Sequence, residues 1–289
     1  MIINATWEGR ICVALTVPLP AIIPSVEPAR PLRVMSYNIW NYNGEWSARL
    51  RMIAQVVRES NADIVLWQEV RSAPDGRHQM FDLYSALPEL AFHCYHPAMS
   101  YPDGYREGLG IMSRLPIVEY SVLKLPSFID GEDAHQRAVL RAAVLTPRGV
   151  VDVMSTHLSL SDIGRPRQTK QIAQWRPTQR PQILGGDFNA EPDSPSLLPL
   201  LDAGYSDAWQ TATLRPGTPC GRAEDDRAIE QGFTFPSWEP IKRIDFIMSR
   251  GAALTPRTLW LHGRCGLGHP QRHRYASDHR AVVVEFEIN

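Results

Sequence analysis

Beyond residue 31 the chain is a succession of short apolar runs separated by Gly, Pro and polar turns. Residues 32–37 predict a strand. Residues 46–60 carry Leu50, Ile53, Ala54 and Val57 at helical spacing, with Asn61 as a stop. Residues 63–67 are a short strand of the buried type. Residues 109–112, 117–123, 137–145 and 150–156 predict four successive strands. Residues 168–175 predict a helix, and 182–186 a strand running into GDFN. Residues 194–203 predict a helix with Ser194 as its N-cap. Residues 242–248, 254–261 and 281–288 complete the strands. In the last, Val282, Val284, Phe286 and Ile288 alternate with Val283, Glu285 and Glu287. Strands outnumber helices, and the helices are scattered among them. This pattern predicts two packed sheets with helices outside, rather than a βαβ chain.

The first 30 residues follow another rule. Residues 11–24, ICVALTVPLPAIIP, form an apolar stretch too short to cross a membrane, and no 18-residue apolar run occurs elsewhere. The stretch has the length of a secretory signal, but Glu8 precedes it and Pro18 and Pro20 interrupt it. Residues 1–30 are therefore read as a leader or linker, with a cytoplasmic or an exported location both open. Residues 31–289 are read as one domain, expected to be a monomer.

Composition narrows the partners. The 289 residues are 44% hydrophobic and 21% charged, as in an ordinary globular protein. The formal net charge is -1, so bulk charge does not indicate a nucleic-acid binder. The cations are almost all arginine; Lys124, Lys170 and Lys242 are the only lysines. A GC-rich codon habit explains that excess more simply than function does. Cys12, Cys94, Cys220 and Cys265 are far apart and form no CxxC pair, which argues against a disulfide framework.

The candidate chemistry sits where apolar runs end. Asn38 follows VMSY, Glu69 follows IVLWQ, His157 follows VMST, and Asp187 and Asn189 follow ILGG. Asp245 follows RI, and Asp278-His279 precedes AVVVEF. Each alone has a bland reading as a turn or structural residue. Together they would converge on one rim of a sheet. Glu69 and Asp278 are hard oxygen donors suited to Mg²⁺ or Mn²⁺. Asn38 and Asn189 can bind a metal or an oxygen without adding charge. His157 and His279 can donate to a developing oxyanion. Asp187 can orient or deprotonate water, and Asp245 can fix a histidine ring. The set fits metal-assisted attack of water on phosphorus.

These segments, MSYNIW, DIVLWQEV, EGLGIMSRLPI, STHLS, GGDFNAEP, RIDFI and SDHRAVVVEF, occur in an order that resembles the endonuclease/exonuclease/phosphatase superfamily. The resemblance covers residues 32–289. It implies the deoxyribonuclease I-like fold, a four-layer α/β sandwich with two central, mostly antiparallel sheets flanked by helices. It also implies a Mg²⁺- or Mn²⁺-dependent phosphoesterase. By the same resemblance, Glu69 is the principal metal ligand, with Asn38 and Asp278 near the metal. Asp187 positions the attacking water and Asn189 holds a phosphoryl oxygen. His279, oriented by Asp245, stabilises the transition state, and His157 is a second phosphate-contacting imidazole.

Other residues are weaker candidates for contact with the substrate. Glu107 precedes an inward strand but could equally be an exposed turn acid. Arg137 and Arg141 share a face at i, i+4, and one could reach a phosphate. Arg264, Arg272 and Arg274, in LHGRCGLGHPQRHR, could form a basic loop beside the rim. His262, Cys265, His269 and His273 in that segment resemble a zinc set only superficially. Phe233, Phe235 and Trp238 could wall the cleft or pack under it. The expected substrate is a phosphorylated small molecule or a phosphodiester. The alternative is an endo- or exonuclease acting on DNA or RNA with the same residues. A catalytically inactive binding module is disfavoured because each motif position holds a competent residue, and a serine hydrolase because GxSxG is missing.

Overall fold

A computed structural model describes residues 11–13, 30–127, 133, 135–214, 230–263 and 275–289. Two mixed sheets face each other. Among the described residues the larger has eight strands, in the order β1 (Ile11–Val13), β4 (Phe92–Ser100), β5 (Arg106–Ser113), β3 (Ile64–Ser72), β2 (Leu32–Asn38), β14 (Ala281–Ile288), β13 (Leu254–His262) and β11 (Thr213–Leu214). The smaller has six, in the order β10 (Ser206–Asp207), β12 (Asp245–Arg250), β9 (Gln182–Asp187), β8 (Gly149–His157), β7 (Ala138–Thr146) and β6 (Ile117–Lys124). The strands that matter for the site are β2 (Leu32–Asn38), β3 (Ile64–Ser72), β8 (Gly149–His157), β9 (Gln182–Asp187), β12 (Asp245–Arg250) and β14 (Ala281–Ile288).

Strand alternation divides the apolar residues between faces. In β2, Val34 faces the other sheet, whereas Met35 and Tyr37 face outward; in β3, Ile64 and Leu66 oppose Val65 and Trp67. In β14, Val282, Val284, Phe286 and Ile288 all point into the layer between the sheets, as their spacing predicts. Helices α1 (Trp46–Ser60) and α2 (Gln79–Ala86) cover the outer face of the larger sheet through Ile53, Val57, Met80 and Leu83. Helices α3 (Gly164–Gln174) and α4 (Leu198–Asp202) cover the smaller one through Ile172 and Leu200. The result is two packed sheets with helices outside, as the pattern predicts, and the four-layer sandwich that the resemblance implies.

Most strand pairs are antiparallel, but each sheet has a parallel pair at its heart. In the larger sheet β2 and β3 run parallel, with β14 antiparallel beside β2. In the smaller sheet β8 and β9 run parallel, with β12 antiparallel beside β9. Both parallel pairs therefore end at one rim of the sandwich, where their antiparallel neighbours begin. Gly185 lets the layers meet just beneath that rim. A Cβ there would lie 2.8 Å from Leu66 Cδ1 and 3.3 Å from Ser36 Cβ, both on the opposing sheet. A buried hydrogen bond of 3.0 Å from Gln68 Nε2 to Ser155 Oγ also joins the layers.

Several boundaries differ from the sequence pattern. α1 spans the predicted residues, and Asn61 closes it in the left-handed conformation. α3 starts at Gly164 rather than residue 168, because Pro166 is tolerated in a first turn. The predicted helix at 194–203 is a 3-10 turn, Pro195–Leu197, followed by α4; Ser194 does cap it, accepting from the Ser196 N–H. The strand predicted from residue 242 begins at Asp245. β4 (Phe92–Ser100) and α2 have no clear period in the sequence. Pro97 sits inside β4, at a register shift against β5 (Arg106–Ser113). Ile11–Val13, within the stretch read as a leader, forms β1 and pairs antiparallel with β4. No helix among the described residues is long and apolar enough to cross a membrane.

Candidate active site

The rim collects polar residues by strand register. His157 pairs with Asp187 across β8 and β9, and Asp187 with Asp245 across β9 and β12. These three side chains thus start from one row of the smaller sheet. From the larger sheet come Asn38, the last residue of β2, and Glu69, raised by an irregularity in β3. There the register against β5 shifts between Trp67 and Val70, and Glu69 adopts φ +58°. A β-bulge re-aims a side chain in this way, and the left-handed backbone carries a cost that the surrounding hydrogen bonds must meet. His279 stands two residues before β14. Its loop is tied to β2 by Ser277, whose Oγ donates to the Asn38 carbonyl at 2.6 Å and accepts from the His279 N–H at 3.1 Å.

Asp187 Oδ2 is the meeting point. It lies 3.1 Å from Asn38 Nδ2, 3.5 Å from His157 Nε2 and 3.6 Å from His279 Nε2. Its other oxygen accepts the Asn189 N–H at 2.9 Å. Asn189, at φ +48°, donates its own Nδ2 to the Leu158 carbonyl at 2.9 Å. On the far side of His279, Nδ1 is 2.9 Å from Asp245 Oδ2. Asn38 Nδ2 also reaches Glu69 Oε1 at 3.1 Å. Phe235 packs against the His279 ring at 4.8 Å between centroids.

Burial and charge set the protonation of this group. Burial pushes Asp187 up to about 7; His279 opposes this and Asp245 adds to it. Burial likewise raises Asp278 to about 6, with His279 opposing and Glu69 adding. Glu69 is raised by burial and by Glu107, against hydrogen bonds from Asn38 and Asn41. The two histidines go opposite ways. Burial, Arg137 and His279 hold His157 well below the usual imidazole range. Burial also disfavours charge on His279, but Asp245 and Asp187 outweigh it and raise that ring well above the usual range. One imidazole is therefore neutral and the other charged, side by side.

A cleft of about 580 Å³ opens over these groups, lined among others by Glu69, Asp187, Asn189, Asp278 and His279. A second cavity of about 460 Å³, between Arg30 and Phe286, contains none of the strand-end residues.

The sequence matches the endonuclease/exonuclease/phosphatase family over residues 35–279, most of the chain. The chain belongs to that family. Its members are phosphoesterase hydrolases that depend on a divalent metal. A relative from Schizosaccharomyces pombe, an inositol phosphosphingolipids phospholipase C, is 27% identical over 212 residues. The match covers 64% of this chain, and the chain spans about half (47%) of that relative's length. An endonuclease/exonuclease/phosphatase from Beutenbergia cavernae superposes with a TM-score of 0.70 at 23% identity, over 90% of this chain and 72% of that one. A mannosyl-6-phosphatase from Bacteroides thetaiotaomicron gives 0.66 at 20% identity, over 88% of this chain and 99% of that one. These two likenesses show the fold.

Against the family's motifs, the strand-end residues all come together at the rim. Asp187, Asp245 and His279 bring ligand atoms within 4.8 Å of one another, close enough to hold an ion. Glu107 is buried in the cleft wall and bound by Arg71 at 2.6 Å, so it is not an exposed turn acid. Arg137 lines the cleft beside His157, and Asp133 holds its Nε and Nη2. Arg141 does not reach the cleft; it is buried between Asp152, Glu119 and Ser121. Phe235 walls the cleft. Arg264, Arg272 and Arg274 lie outside the described residues, as do Cys265, His269 and His273.

Sequence reasoning missed Asn41, whose Nδ2 donates to Glu69 Oε2 at 2.8 Å. It also missed Arg71, which holds Glu107 and stacks on Tyr101 at 4.7 Å. Asn41, three residues beyond Asn38, was the available signal. Nothing in the sequence marks Arg71.

Proposed function

We propose that the chain hydrolyses phosphate esters, diesters or monoesters, by attack of water on phosphorus with a divalent cation, Mg²⁺ or Mn²⁺. The observation that carries this reading is the geometry that sets Asp245-bound His279 beside Asp187 and the Asn38–Glu69 pair, all under one cleft. The residues fit a hard cation. Glu69, Asp187 and Asp278 are crowded oxygen donors, each raised toward its neutral form, and a cation would relieve that crowding. Glu69 would hold the ion, with Asn38 and Asp278 beside it. Asp187, Asp245 and His279 are better read as an acid–base group, because Asp245 already occupies Nδ1 and an imidazolium is a poor ligand. The bound cation would supply charge for a phosphoryl oxygen.

The remaining steps belong to the side chains. Asp187 orients the attacking water and takes its proton, for which a pKa of about 7 is well placed. Asn189 and neutral His157 hold phosphoryl oxygens. His279 faces the developing negative charge as an imidazolium and can pass its proton to the leaving oxygen. Arg137 offers Nη1, buried and without a partner among the described residues, to the same anion.

The test is a panel of a sphingolipid-type phosphodiester, sugar and inositol monophosphates, and a DNA and an RNA oligonucleotide, assayed with Mg²⁺, Mn²⁺ or EDTA. Turnover abolished by EDTA and by His279→Ala supports the reading, and the preferred member names the substrate. Turnover indifferent to both sinks it. Preference for the oligonucleotides, with a steep salt dependence, makes the enzyme a nuclease.

A further inference from the structure

We infer that Arg49 is a positioning residue for Glu69, acting through Asn41. The inference rests on the proposed role of Glu69 as the cation's main ligand.

Arg49 lies on the first turn of α1, facing inward, and is almost completely buried. No carboxylate among the described residues is hydrogen-bonded to it. Its guanidinium instead collects backbone carbonyls. Nη1 donates to Asn43 at 2.8 Å, Asn41 at 3.1 Å and, more weakly, Trp40 at 3.4 Å, while Nη2 donates to Ile39. Nε donates to Ala276 at 3.1 Å. Four of these carbonyls belong to the loop from β2 to α1. The fifth belongs to the loop that carries Asp278 and His279. One side chain thus fastens the two loops that frame the larger sheet's half of the site. The Trp40 and Trp46 rings flank the charge at 5.1 and 5.7 Å.

The loop so fastened has an expensive shape. Trp40 and Asn41 are consecutive left-handed residues, at φ +57° and +36°. Such backbone persists only where the surroundings over-determine it. Arg49 and Gln79 do so together; Gln79 Nε2 adds a 2.6 Å bond to the Asn41 carbonyl. The kink aims Asn41 Nδ2 at Glu69 Oε2, 2.8 Å away, while Asn38 takes Oε1. Each oxygen of the bulged Glu69 is therefore held by one asparagine, and Arg49 decides where the second stands. Lysine cannot copy this. One ammonium has no planar fork with which to span two loops.

The experiment is Mn²⁺ titration, by calorimetry and by Mn²⁺ electron paramagnetic resonance, on the whole chain and on Arg49→Lys, Asn41→Ala and the double variant. Circular dichroism checks that each is folded. Arg49→Gln, with an uncharged amide donor, serves if the lysine variant fails to fold. Each single variant is expected to bind Mn²⁺ about ten-fold more weakly, the range seen when groups that orient a ligand are removed. The double variant should lose little more, because both changes act on one carboxylate. Unchanged Mn²⁺ affinity in folded Asn41→Ala or Arg49 variants overturns the inference, and so do two losses that fully multiply. A parent chain that binds no Mn²⁺ overturns the cation reading as well.

Discussion

Asp245 Oδ2 lies 2.9 Å from Nδ1 of His279, and both side chains are buried. They come from different sheets: Asp245 opens β12 and His279 precedes β14. The pair therefore bridges the two layers at the rim, and its geometry depends on how the layers pack. The carboxylate fixes the ring and favours its charged form.

The first prediction concerns that charge. If imidazolium is the working form of His279, activity falls as pH rises through its raised pKa. Burial lowers the His279 pKa and Asp245 is the strongest influence raising it, so Asp245→Asn should move the alkaline limb of the kcat profile to lower pH. His279→Ala should cost about 10²–10⁴-fold in kcat, and Asp245→Asn less. A kcat profile whose alkaline limb stays put in Asp245→Asn would falsify this role.

A second prediction follows from the raised carboxylates. Between pH 4 and 7 the folded protein keeps protons on Asp187 (about 7) and Asp278 (about 6), which unfolded carboxylates, at 3.8, have already released. More protons are then bound in the folded state, so these groups make the cation-free protein less stable as pH rises through that window. A divalent cation needs the ionised forms. Mg²⁺ should thus raise Tm more at pH 7.5 than at pH 5, and its binding should release protons. Thermal melts with and without Mg²⁺, and calorimetry in two buffers of different ionisation enthalpy, measure both. Equal Tm shifts at the two pH values would contradict it.

Much of this was legible in the sequence, for identifiable reasons. The core strands announce themselves as short apolar runs, and in β14 the inward Val282, Val284, Phe286 and Ile288 alternate with Val283, Glu285 and Glu287. The site residues stand out because parallel pairs must end at one rim, and polar residues follow each run. The bulge that turns Glu69 and the kink at Trp40–Asn41 were not legible, because they arise from long-range hydrogen bonds. β4 was hidden by His93, His96 and Pro97, and α2 by its short length. The arginines were least legible of all, since Arg49, Arg71, Arg137 and Arg141 differ only in the acceptors that the fold brings to them.

Arg137 and Arg141 give a third prediction. They sit four residues apart, yet one lines the cleft and the other is sealed between Asp152 and Glu119. Arg141→Ala leaves the fully buried Asp152 without its main partner, at a cost of about 3–5 kcal/mol. It should lower Tm while KM stays near that of the parent. Arg137→Ala should raise KM instead, if its free Nη1 meets the substrate anion. Chemical denaturation and steady-state kinetics on both variants separate the two effects. A raised KM in folded Arg141→Ala would show that the two arginines share a task.

The last prediction tests how tightly the sheets meet below the rim. Gly185 and Gly186 precede Asp187, but they are needed for different reasons. A Cβ on Gly185 would press on Leu66 Cδ1 at 2.8 Å and on Ile247 and Ser36 at 3.3 Å. Leu66 can rotate, so Gly185→Ala should cost about 1–3 kcal/mol, as overpacking does. At roughly 2–4 °C per kcal/mol for a chain of this size, Tm falls but the protein folds. A Cβ on Gly186 would lie 2.0 Å from the Thr156 carbonyl oxygen, on the adjacent strand β8. Backbone cannot rotate away, so Gly186→Ala must part β8 from β9 and displace His157 from Asp187. Gly186→Ala is therefore expected to lose more stability than Gly185→Ala and to lose kcat as well. Melting curves and kcat on the two variants check the order. Equal stability, or Gly186→Ala with the parent's kcat, would mean that β8 and β9 can shift apart without moving the site.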